Sequence, residues 1–216
     1  MTDKQLQKQI QDALDWEPSV DAAHIGVTAE NGVIALRGDV KTYAERAAAE
    51  RVALRAYGVK AVANDLVVHL VDGAARGDSE IAQAAVDALK WNSMVPADGV
   101  TISVTNGWIT LKGAVEWDYQ RGAAARAVRN LLGVRGVDNQ IAVRPRVNVA
   151  DLQSKIEAAL KRSAEIDARR INISVLDGKV TLRGNVHSWF EREEARRVAW
   201  AAPGVKEVDD HVLVVP

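Results

Sequence analysis

The chain has no cysteine among its 216 residues. Disulfides, thiolate nucleophiles and cysteine-containing zinc sites are therefore excluded. No run approaches the roughly 18 apolar residues that a membrane-spanning helix needs. The amino terminus, Met1 to Ile10, is polar and lacks the apolar stretch of a secretory signal. If Met1 is the native start, the expected location is the cytoplasm; a signal removed upstream would instead imply the periplasm. Aromatic residues are scarce, and six of them are tryptophan against three tyrosines and one phenylalanine. Aliphatic residues and alanine must fill the core. A strong charge of either sign is also missing, the formal net charge being −1. The molecule as a whole therefore has no strong pull on nucleic acid or anionic lipid. Residues 1–72 hold 8 basic and 11 acidic side chains, 73–147 hold 9 and 7, and 148–216 hold 11 and 11, so only the middle section is basic.

What the chain does have is repetition. Residues 32–38 read GVIALRG, 107–113 read GWITLKG and 178–184 read GKVTLRG. The two offsets, 75 and 71, also align Leu14, Leu89 and Leu160, then Arg46, Arg121 and Arg192, then Gly58, Gly133 and Gly204. Three modules follow, at 1–72, 73–147 and 148–216. Segments 71–77 and 144–148 read as short linkers, the first flexible and the second stiffer. A unit of about 70 residues is marginal alone, so the modules are expected to pack on one another.

Each module reads as αββαβ. Apolar residues at helical spacing (Leu6, Ile10, Ala13 and Leu14 in the first copy) predict an opening helix. Asp3, Asp78 and the segment Val149-Ala150-Asp151 are expected to cap its start. Two alternating stretches follow, with Ile25, Val27, Ala29, Ile34 and Leu36 on one face. Asn31-Gly32, Asn106-Gly107 and Asp177-Gly178 join them as tight antiparallel hairpins. The second helix has a small-residue stripe, such as Ala49, Val52, Ala53 and Ala56. Gly58, Gly133 and Gly204 are expected to end it as left-handed caps. A last strand is predicted at 61–70, 136–145 and 206–215. The fold class is α+β: three tandem modules, each a three-stranded mixed sheet with two helices on one face.

These residues resemble the BON domain, the bacterial OsmY and nodulation family. The resemblance rests on the strand endings Ile34-Ala35-Leu36-Arg37-Gly38-Asp39-Val40, Ile109–Val115 and Val180–Val186. It rests also on the closing run Arg46, Ala49, Gly58-Val59, Val62, Asn64, Leu66 and Val68, repeated in the second copy and, with Asp210 in place of Asn, in the third. It covers nearly the whole chain, and its motifs are core aliphatics and structural glycines, among them Gly38, Gly113 and Gly184. The resemblance implies a non-catalytic, transport-associated module of the bacterial envelope and of the osmotic or general stress response. Its implied partner is a phospholipid surface or another envelope component.

No catalytic residue, cofactor or metal site is expected. His24, His69, His187 and His211 never fall at matching positions in two copies, and no phosphate loop or hydrolase elbow is present. His187 and Glu191 sit at i,i+4 spacing, which on a helix is ordinary surface chemistry. Arg37, Lys112 and Arg183 should face away from the helices on the open side of each sheet. They would meet lipid phosphate or an acidic partner, or else form a solvated face with a cross-strand pair to a residue such as Glu30. Arg46, Arg121 and Arg192 fall at the edge of the second helix's buried face, an anchoring position. The loop into that helix carries Tyr43, then Trp117 and Tyr119, then Trp189 and Phe190. Such rings suit a membrane–water interface, or they staple the helix start or join modules. They are the first choice for a binding surface on anionic phospholipid. The alternative partner is another protein, seated in grooves between modules as a cytoplasmic scaffold. Nucleic acid is disfavoured, since there is no basic stripe, no stacking aromatics repeated along the strands and no GXXG loop.

Overall fold

A computed structural model describes residues 2–70, 73, 75–96, 98–146, 151–163 and 170–215. In the first module, α1 (Asp3–Asp15) leads through a 3-10 turn to β1 (Ile25–Glu30) and β2 (Val33–Val40), then α2 (Tyr43–Arg55) and β3 (Ala61–Val68). The second repeats this as α3 (Asp78–Lys90), β4 (Val100–Thr105), β5 (Trp108–Val115), α4 (Asp118–Arg129) and β6 (Gly136–Val143). The third is α5 (Leu152–Arg162), β7 (Ile171–Leu176), β8 (Lys179–Val186), α6 (Trp189–Trp200) and β9 (Glu207–Val214). Each sheet is mixed, its central strand antiparallel to the first and parallel to the last. The closing strands are slightly shorter than the sequence pattern predicts. Parts of both linkers, and Val149-Ala150, lie outside the described residues.

The alternation puts Ile34 and Leu36, Ile109 and Leu111, and Val180 and Leu182 fully inside, under both helices. Burying each such side chain contributes about 1.5–3 kcal/mol. The first helix buries Leu6, Ile10 and Leu14, and the second buries mostly alanine, which brings its axis close to the sheet. Asn31 and Gly32 both have positive φ, 51° and 82°, and the other two hairpins repeat this. Those angles close a two-residue turn whose twist matches the strands.

Two expectations about helix ends are corrected. Thr2, not Asp3, caps α1, its hydroxyl accepting from the Gln5 N–H. The Asp3 carboxylate instead accepts from the hairpin amides of Asn31 (2.9 Å) and Gly32 (3.3 Å). Asp78 does the same with Asn106 (2.8 Å) and Gly107 (2.9 Å). Asp151 precedes α5 without a side-chain cap bond. Gly58, Gly133 and Gly204 do have positive φ (94°, 85° and 95°), but the helices end earlier. The glycines sit in the turn that leads to the last strand, where Val59 N–H returns to the Ala56 carbonyl.

The modules touch through their second helices. Tyr43, the first residue of α2, packs on the cores of modules one and two. Trp189, the first residue of α6, packs on the core of module one, and α2 touches α6. Trp200, the last residue of α6, packs on the cores of modules two and three. The third module therefore contacts both of the others.

Candidate functional site

The amino end of α1 is tied to the hairpin through Asp3, so its carboxyl end lies at the opposite end of the module. There β2 finishes and α2 begins. Lys41 Nζ is 2.8 Å from Asp21, and Asp21 N–H donates to Glu45 at 2.7 Å. That pairing holds the Asp21 carboxyl below its usual range and raises the Lys41 ammonium. All five aromatic candidates start from the matching end of their own module, yet the structure treats them differently. Tyr43 and Trp189 are partly buried between modules. Trp117 is half-buried, while Tyr119 and Phe190 stay 55% and 53% exposed.

Trp117 occupies the cap position of α4, where the other copies hold Thr42 and Ser188. Those hydroxyls accept from the amides of Glu45 (3.1 Å) and Glu191 (3.2 Å). An indole has no acceptor for that amide. Gln120 closes the loop instead, accepting from the amides of Glu116 and Trp117. The second copy thus replaces a hydroxyl cap with a large ring.

Two tryptophans that sequence reasoning passed over belong to this end as well. Trp16 and Trp91 are the C-caps of α1 and α3, and they are 87% and 89% exposed. Their signal was available: they share the 75-residue offset and follow the last apolar residues of the helical stripe, Leu14 and Leu89. The third copy has exposed Arg162 at this position.

The open-face cations do not join the aromatics. Arg37 lies opposite Asp65 on β3, 3.7 Å away and well exposed, so its acidic partner is Asp65 and not Glu30. Lys112 faces Thr101 and Gln140, and Arg183 faces Asn172 and His211. Neither makes an ion pair among the described residues. The three occupy separate sheets.

Arg46, Arg121 and Arg192 mark where the second helix meets the last strand. Arg46 Nη2 donates to the Asn64 carbonyl at 2.8 Å. Asn139 Nδ2 donates to the Arg121 carbonyl at 2.9 Å. Arg192 Nε pairs with Asp210 at 2.8 Å, so aspartate in the third copy replaces a neutral contact with an ionic one. Arg192 also lies 4.6 Å over the Trp189 ring, and Arg121 4.6 Å over the Trp200 ring. At Gly38, Gly113 and Gly184, φ is 124°, 129° and 139°. A Cβ there would overlap the carbonyl oxygen of His24, Gly99 or Arg170.

The three units match the BON domain at residues 2–69, 77–145 and 148–216. The chain belongs to the BON domain family. It is 26% identical over 139 residues to the osmotically-inducible protein Y of Escherichia coli strain K12, across 61% of this chain and 69% of that protein. Among solved structures it is similar to CdsD, a structural protein of the Type III secretion system of Chlamydia trachomatis. That likeness is 16% in identity with a TM-score of 0.28, covering 98% of this chain and 93% of the other.

Between the second and third BON modules lies a cleft of about 750 Å³, walled by Trp117, Tyr119 and Trp200 and bordered by Arg126 and Arg197. Arg197 binds Glu194 at 2.5 and 2.6 Å. These bonds hold the Glu194 carboxyl below its usual range, against the opposing effect of burial. His187 precedes the third module's second helix rather than lying on it. Its amide donates to Glu191 and its ring lies 2.7 Å from Arg170. Among the described residues, no group of three or more histidines, aspartates and glutamates is placed to hold a metal ion. No helix there is long and apolar enough to cross a membrane.

Proposed function

We propose that this BON protein is a non-enzymatic binding protein that docks on anionic phospholipid surfaces of the bacterial envelope in an osmotic or general stress response. The supporting observation is the pair Trp16 and Trp91. Two rings this exposed, at one repeated position, on the module end that also carries Tyr119, join none of the three hydrophobic cores formed by the described residues. An indole placed so suits the headgroup layer, where the ring is sheltered and its N–H stays wet. Exposed Lys90 immediately precedes Trp91, and exposed Met94 lies three residues after it. Each cation near an anionic surface adds about 1 kcal/mol of attraction. The stress role draws on the name of the Escherichia coli relative.

Sedimentation with vesicles tests the docking. The protein should pellet with phosphatidylglycerol-containing vesicles, less with pure phosphatidylcholine, and less again as salt rises. The double variant Trp16→Ala/Trp91→Ala should lose most of that binding while melting as the parent does. Wild-type protein that stays in the supernatant at low salt overturns the proposal. Transcript levels after an osmotic upshift test the stress role, and a flat response removes it.

A further inference from the structure

We propose that the cleft between the second and third modules binds one amphipathic organic anion: an apolar or aromatic body carrying a single carboxylate, sulfonate or phosphate. This site is separate from Trp16 and Trp91 and does not depend on membrane docking.

The argument starts from a glycine with no turn to make. Gly122 lies inside α4, away from both ends and without a positive φ. Glycine there destabilises a helix by about 0.5–1 kcal/mol relative to alanine. The other copies place Ala47 and Glu193 at this position. What Gly122 makes room for is Arg126. The guanidinium Nη1 lies 3.0 Å from where a Cβ would stand, so the side chain folds back over the bare backbone into the cleft. Arg126 is exposed and has no carboxylate within ion-pair distance among the described residues. Asp118, which shares the cleft lining with Arg126, is bonded to Arg121.

The walls supply the other half of the recognition. Trp117 and Tyr119 come from the start of α4, and Trp200 closes the cleft from the third module. Its volume falls in the range of about 300–1,000 Å³ usual for small-molecule sites, which pair apolar walls with a few placed polar groups. A guanidinium beside aromatic walls matches an anionic group on a flat or apolar body.

The probe is 8-anilinonaphthalene-1-sulfonate, titrated into the full chain at neutral pH and read by energy transfer from tryptophan. One saturable site per chain is expected. Its neutral analogue N-phenyl-1-naphthylamine should bind about tenfold more weakly. Arg126→Gln should raise the Kd about tenfold. Gly122→Glu, which installs the third copy's residue beside Arg126, should do the same with the melting temperature retained. Lys112→Gln, on the open sheet face, should change nothing. The proposal is overturned by absence of saturable binding, by equal affinity for the neutral analogue, or by wild-type affinity in both cleft variants.

Discussion

At Gly38, Gly113 and Gly184 a single methyl group decides the fold. The central strand passes so close to the residue before the first strand that any side chain would overlap its carbonyl oxygen. Gly113→Ala should therefore lower stability by more than about 3 kcal/mol, measured by urea denaturation. The repeated L-x-G was plain in the sequence, but its cause was not, because the obstructing carbonyl belongs to another segment. Asp3 and Asp78 teach the same lesson. Local pattern made them helix caps, and tertiary placement beside a hairpin turned them into clamps on the next turn. Asp78→Ala should cost about 1–3 kcal/mol, since two hairpin amides lose a charged acceptor. Thermal denaturation of the variant checks it.

Among the elements, order and hairpin pairing were legible from periodicity together with the turn residues. Apolar spacing marked the helices, alternation marked the strands, and Asn-Gly or Asp-Gly marked each hairpin. The destinations of the aromatic rings were not legible. Tyr43, Asp118 and Trp189 are one repeat position, yet the first and last meet neighbouring modules and the second carries an ion pair to Arg121. On α6 the Glu194–Arg197 pair gives a pH dependence with a definite sign. The folded-state pKa of Glu194 lies below its ordinary 4.5. The unfolded chain therefore binds the proton first as pH falls. The pair's stabilising effect is complete above the ordinary value and fades as pH drops through the lower, folded one. Melting temperature recorded from neutral to acid pH should fall less steeply in Glu194→Gln than in the parent.

Across the whole molecule, the three copies are joined by side chains that pack on a neighbouring core, Tyr43, Trp189 and Trp200. The residue that joins modules two and three, Trp200, has Leu54 and Arg129 at its repeat positions, so comparing copies could not reveal it. Calorimetry should show modules two and three unfolding together. Trp200→Ala removes a ring shared by two cores and the surface on which Arg121 lies. It should cost about 2 kcal/mol and broaden or split that transition.

The meeting of α2 with α6 also limits how such a chain can grow. In a solenoid each unit touches only its neighbours, and the last one offers a docking face to one more. Here the first and last copies already meet, so the contacts among the three close into a ring and do not run as an open row. A fourth unit engineered onto the chain would find the α2–α6 contact already occupied.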